Sequence, residues 1–226
     1  MEVYSLIVRN QELFRLVYTL LIGIACFAIV VRTNRLFRLS FHQGIRYFRN
    51  AFFFYGLAFL IRYPLGESYF LIYKIIPSFI TKALFEFFLI MGGFSLLYSL
   101  LWKKLETEKG SLSSLFNAKI ALFYALALVI VGLDYLWKTY YLMFASQIIL
   151  FGYASTISYL IYIKSENQQN FLKLYLVVMI LNLIAWLSNF VVAVFFNWHQ
   201  GGIISIHILN VIIFLLFLYS VVKATK

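Results

Sequence analysis

The sequence predicts an all-α, polytopic integral membrane protein: a seven-transmembrane helix bundle with its N-terminus outside and its C-terminus cytoplasmic. Three observations carry this reading. Seven apolar runs fill nearly all of the 226 residues, each close to the roughly 20 residues that a helix needs to cross hydrocarbon. Charged residues make up 12% of the chain against 64% hydrophobic, about half the charge of a soluble domain. The gaps between the runs alternate between strongly basic and nearly charge-free. The runs are continuous rather than alternating, which excludes an open sheet or a barrel.

The spans fall at 13–31, 46–62, 80–102, 119–136, 140–163, 174–196 and 203–222. The first follows Glu2, Arg9, Glu12 and Arg15 and ends at an arginine cluster. A secretory signal has the opposite charge order, so this run reads as a retained helix whose N-terminus is translocated. It holds Cys26, the only cysteine, which leaves no intrachain disulfide and no thiolate metal cluster. The second span opens on Arg46, Arg49 and Asn50, which repeat at helical spacing. Residues 65–78 contain Gly66, Glu67, Lys74 and Pro77 amid aromatics and isoleucines. They read as a short interfacial helix or a partly re-entrant segment. Pro77 would open the third span, where its missing N–H costs little. Trp137 and Trp198 stand at outer span ends and Trp102 at an inner one, as amphipathic indoles do. The whole of 1–226 reads as one membrane domain without a soluble domain.

Orientation follows from charge. Arg32, Arg35, Arg38, Arg46 and Arg49 surround the first loop; Lys103, Lys104, Lys109 and Lys119 surround the third. Lys164 and Lys173 flank the fifth, and Lys223 and Lys226 close the chain. The other side holds Arg9, Arg15, Arg62, Lys74 and Lys138. The positive-inside rule puts the first set in the cytoplasm. It also accounts for the net charge of +11 without a nucleic-acid partner. Arg46 and Arg49 form a basic face suited to anionic lipid headgroups or a partner protein, although a topology signal alone would look the same.

A weak internal repeat is visible. Ile45-Arg46-Tyr47-Phe48 aligns with Leu172-Lys173-Leu174-Tyr175, and in the same register Leu57-Ala58-Phe59-Leu60 aligns with Ile184-Ala185-Trp186-Leu187. A second register pairs Leu97-Tyr98-Ser99 with Leu218-Tyr219-Ser220 and sets Glu86 opposite His207. The implied plan is 3+1+3: two parallel three-helix units joined by the fourth helix. Membrane proteins that hold ligands between halves share this logic.

Polar groups inside the spans are the candidates for function, because they are costly in lipid and turn toward the bundle interior. Lys82 and Glu86 are four apart on one helix face. They can neutralise each other or present an ammonium and a carboxylate to a ligand. His207 and Asn210 share a face of the seventh span. Asn182 and Asn189 share a face of the sixth, with Trp186 between them. Gln147 lies near the outer end of the fifth. For any single Ser, Asn or Gln, interhelical hydrogen bonding is the plainer role, and for Trp186 it is packing. At a rise of about 1.5 Å per residue, however, Glu86, Gln147, Asn189, His207 and Asn210 all fall in the outer half. Arg62 and Asp134 fall at its rim. Convergence of these groups would make a polar outer pocket above an apolar floor.

Enzyme chemistry is not indicated. His42 lies on the inner side and His199 and His207 on the outer, so no metal cluster forms. No H-E-x-x-H, phosphate loop or dinucleotide fingerprint occurs. Gly93-Phe94-Ser95-Leu96 lacks the closing glycine of a serine nucleophile motif, and the last span has no lysine for a retinal Schiff base. The expectation is a sensor or receptor-like protein of the cell membrane that needs no cofactor. It would bind an unknown small ligand, lipid or ion at Lys82, Glu86, Gln147, Trp186, Asn189, His207 and Asn210, and signal through its basic face to a cytoplasmic or membrane partner. The alternatives are a transporter or channel made of two three-helix halves, and a structural subunit of a membrane complex.

Overall fold

The computed structural model of the protein describes residues 11–40, 43–62, 78–105, 118–164, 170–195 and 200–224. They form helices α1 (Gln11–Ser40), α2 (Gln43–Leu60), α3 (Ser78–Leu105), α4 (Ala118–Trp137), α5 (Tyr141–Lys164), α6 (Asn170–Phe195) and α7 (Gln200–Ala224). One helix corresponds to each expected span. Residues 65–77, with the expected interfacial segment and Pro77, lie outside the described residues, as do His42, Trp198 and His199.

Two boundaries depart from expectation for physical reasons. Helix α1 does not stop at residue 31 but runs on to Ser40, so Arg32, Arg35 and Arg38 are exposed on a helix rather than in a loop. Arginine is a good helix former, and the Thr33 hydroxyl donates back to the Ile29 carbonyl, which keeps its polar atom satisfied inside the helix. Helix α2 is the second departure. Six helices are long and apolar enough to cross a membrane, and α2 is not one of them. Its 18 residues span about 27 Å, slightly less than a bilayer core. More than half of it is buried by neighbouring helices, including Tyr47, Asn50, Phe52, Tyr55 and Phe59. A helix shielded by protein need not be uniformly apolar. The chain continues past Leu60 through a π-helical turn at Ile61 and Arg62, which re-aims Arg62 relative to a regular helix.

The helices close into a ring in the order α1–α2–α3–α5–α6–α7, with α7 back against α1; α4 stands outside it, packed on α3 and α5. Paired contacts fix the directions. Tyr18 meets Phe59 at 5.8 Å while Arg49 bonds Asn34, so α1 and α2 are antiparallel. Phe59–Phe85 and Tyr47–Tyr98 set α3 against α2 in the same way. Phe144 against Phe190 does so for α5 and α6. Phe48 meets Tyr175 early in α2 and α6 while Phe59 and Trp186 line one cavity further along both, so these two run parallel; Phe14–His207 and Tyr18–Asn210 make α1 and α7 parallel.

Polarity is distributed as lipid demands and water forbids. Leu20, Ile24, Phe27, Leu122, Val129, Ile149, Ile163, Phe195 and Leu215 are exposed, whereas Thr19, Asn50, Glu86, Asp134, Gln147, Ser155 and His207 are buried. A soluble fold would reverse these assignments. The chain is a multi-pass helical membrane bundle. At its arginine-rich end, the Arg49 guanidinium donates to Asn34 Oδ1 at 2.7 Å and Asn50 Oδ1 at 3.3 Å. Arg46 and Arg49 both lie 5.9 Å from the Phe37 ring centroid.

Candidate functional site

The end of the bundle opposite this arginine cluster encloses a cavity of about 320 Å³, at the small end of the range for organic ligands. Each ring helix contributes a face. Arg15 and Tyr18 come from α1, Phe85 and Leu89 from α3, and Met143 and Phe144 from α5, with Tyr140 just before α5. Helix α2 gives Tyr55 and Phe59, and the turn after it Arg62; helix α6 gives Asn182, Trp186 and Asn189. The α6 trio has the i, i+4, i+7 spacing that puts three side chains on one stripe, Tyr55 and Phe59 share the i, i+4 part of it, and Arg62 joins them from the turn beyond α2. Helix α7 adds Ile206, His207, Asn210, Phe214 and Phe217. From Phe59 down to Tyr55 the wall descends about 6 Å at the helical rise.

The polar groups are held in place. The Asn210 amide donates to the Tyr18 hydroxyl at 3.4 Å, and the Tyr18 ring packs edge-on against His207 at 4.2 Å. Asn182 and Asn189 donate to the Val178 and Ala185 carbonyls at 3.1 and 2.8 Å. Each therefore has its Oδ1 directed away from its own helix backbone. The Arg62 guanidinium sits 4.4 Å over the Phe85 ring, a cation–π contact that holds it at the cavity wall. The Tyr55 hydroxyl is buried with no hydrogen-bond partner among the described residues, although it lines the cavity; buried hydroxyls rarely go unsatisfied. Below, Phe48, Phe52, Tyr175 and Phe217 close the floor, with Phe48–Phe52 and Phe52–Phe217 centroids at 4.9 Å.

The sequence-expected residues separate into three groups. Trp186, Asn189, His207 and Asn210 line the cavity together. Glu86 and Gln147 are buried but are not lining residues. Glu86 is one residue round α3 from Phe85, and its charged neighbours are Asp134, Arg62 and Lys82. Gln147 faces α3 at Gly93, where its Oε1 stands 2.9 Å from the position a Cβ would take. Lys82 is exposed and is not a lining residue. Arg46 and Arg49 lie at the far end, on Phe37. Sequence reasoning did not select Arg15, Tyr18, Tyr55 or Asn182 for the pocket. The shared stripe spacing of α2 and α6 is the signal that finds Tyr55 and Asn182.

Asp134 has a structural occupation. The α4–α5 corner turns through Lys138 at φ 54°, and the Asp134 carboxylate accepts from the Leu142 and Met143 amides at 3.1 and 2.8 Å and from the Thr139 hydroxyl at 3.3 Å. It caps α5 from the preceding helix. Gln147 is the opposite case: both its amide atoms are buried without a hydrogen-bond partner among the described residues. Replacing such a group with an apolar one of similar shape removes a desolvation cost. Gln147→Met is expected to raise the thermal midpoint in lipid nanodiscs, by about 1–2 kcal/mol in unfolding free energy on that principle. A lowered midpoint would show that the amide has a partner. No family model, curated protein or solved structure matches this chain.

Proposed function

We propose that this protein is a receptor-like sensor of the cell membrane. It binds a small ligand in the cavity at the outer half of the bundle and signals to a partner through its basic cytoplasmic face. The observation that carries the reading is the cavity itself: asparagines, a histidine, tyrosines and arginines from several helices line one half, and an aromatic floor closes it from the arginine-rich end. The positive-inside rule makes the arginine-rich end cytoplasmic and the cavity end external. A ligand that favours one helix arrangement over another shifts their populations, and the α1–α2 corner, tied by Arg49 to Asn34, is where a partner would read the shift.

One observation favours the second reading, a transporter of two parallel three-helix halves. The register that aligns Leu57 with Ile184 also pairs Tyr55 with Asn182, Phe59 with Trp186 and Arg62 with Asn189, and all six line the cavity. The register that pairs Leu97 with Leu218 likewise matches Phe85 with Ile206 and Leu89 with Asn210, again all lining. The ring order, with α4 outside, suits a cavity between α1–α2–α3 and α5–α6–α7. A single preparation separates the readings. Gentle purification from the native membrane should recover a stoichiometric partner protein, and reconstituted proteoliposomes should show no solute flux. Repeated recovery of the chain alone, with flux that falls in His207→Ala, would replace the sensor with the transporter.

A further inference from the structure

We infer that the cavity takes an elongated ligand with a hydroxyl or amide N–H group at each end and a flat apolar middle, the two ends donating to the side-chain oxygens of Asn182 and Asn189. The inference rests on the cavity being a ligand site and names what that site selects. Val177, Ile180, Ile184, Leu187 and Val191 are exposed along one side of α6. Asn182, Trp186 and Asn189 lie on the other side, on the stripe that lines the cavity. Each asparagine donates its Nδ2 to the carbonyl four residues earlier, Val178 at 3.1 Å and Ala185 at 2.8 Å. A carbonyl accepts and never donates, so this bond fixes which end of each amide is the nitrogen. The oxygens point away from the helix backbone, on the face that lines the cavity, and no donor among the described residues reaches either of them.

Spacing sets the shape of the ligand. Asn182 and Asn189 stand about 10 Å apart along α6 at the helical rise. Asn182 is the lower, two turns above Tyr175, whose ring helps to close the floor against Phe48 and Phe217. Asn189 lies two turns further out. Between them Trp186 presents its ring, with Phe144 of α5 at 6.1 Å, and Phe59 and Phe85 add apolar wall from α2 and α3. Such walls accept a ring or a short alkyl chain by edge and face contact. An amide oxygen taken out of water without a donor costs free energy. A ligand with an O–H or N–H at each end satisfies both oxygens, whereas an ether of the same length leaves them bare.

The full chain in neutral-lipid nanodiscs tests the assignment with 4-(3-hydroxypropyl)phenol and its methyl ethers, capped at the phenol, at the alkyl hydroxyl, or at both. A methyl cap removes the donor and keeps the oxygen. Calorimetric titration should show a loss of about tenfold for each single cap and a larger loss for both. In Asn182→Leu one of the two hydroxyls should lose its advantage over its ether, and in Asn189→Leu the other. The doubly capped ether should bind both variants no more weakly than wild type, which separates a lost hydrogen bond from a distorted wall. Trp186→Ala should weaken every probe. Equal affinity for the diol and its double ether, a cap that costs nothing at one end, or an asparagine variant in which both hydroxyl preferences survive, would overturn the inference. If diol and ethers bind alike and Trp186→Ala weakens them all, the cavity remains a ligand site and only the donor assignment falls. Absence of binding by every probe overturns the assignment, and partner recovery then judges the sensor reading on its own.

Discussion

Asp134→Ala is expected to destabilise the bundle by about 2–4 kcal/mol, from the loss of charge-assisted hydrogen bonds and a helix cap. Removing the carboxylate leaves the Leu142 and Met143 amides and the Thr139 hydroxyl without the acceptor that now serves all three. Helix N-termini expose amides that the helix cannot satisfy, and near a bilayer few waters replace a lost side chain. The corner has little slack, because Lys138 already adopts a left-handed conformation and the Thr139 amide bonds the Asp134 carbonyl at 3.0 Å. Asp134→Asn should fall between alanine and wild type, since one acceptor oxygen remains but the charge is gone. Thermal unfolding in nanodiscs reads both variants. Hydrogen exchange at Leu142 and Met143 should rise in step. An alanine variant as stable as wild type, with those amides still protected, would show that the cap carries no weight.

The fold was largely legible because hydrophobic run length is a one-dimensional property. Each of the seven runs became a helix. What escaped is three-dimensional. The arginines after residue 31 look like a loop in a hydropathy profile, yet they extend α1 to Ser40. Nothing in a profile says that α2 is wrapped by protein or that α4 stands outside the ring.

The cavity divides along similar lines. Trp186, Asn189, His207 and Asn210 were visible as anomalies in apolar surroundings. Arg62 was expected at the rim and lines the wall, whereas Arg15 was hidden because a charge at a span end reads as a topology signal whether it snorkels to headgroups or lines a cavity. Tyr18 and Tyr55 were hidden among many aromatics. For Glu86 the decision was rotational. Successive residues differ by about 100° round a helix, so Phe85 can line the cavity while Glu86 does not.

Gly92 offers the second large effect, because on α3 it faces the side chain of Tyr55, a cavity residue of α2. A Cβ at Gly92 would fall 2.8–2.9 Å from three atoms of the Tyr55 ring, closer than carbon atoms pack. The ring is buried and packs at 6.1 Å on Phe52 and 5.9 Å on Phe214, so the cavity is the open side to which it could move. Gly92→Ala must either part the helices or push Tyr55 toward the cavity, at a cost of about 1–3 kcal/mol for overpacking, with Gly92→Val higher. Gly132→Ala is the control, since nothing lies within 4 Å of its Cβ position; it should cost nothing and gain slightly from helix propensity. The decisive variant is the pair. Tyr55→Leu should recover much of the stability lost in Gly92→Ala, with a coupling of about 0.5–3 kcal/mol for residues in contact. Strictly additive losses would mean that Gly92 and Tyr55 do not meet. A stable Gly92→Ala variant with altered probe affinity would mean that the ring yields into the cavity, and the α2–α3 contact would then be the element that sets cavity size.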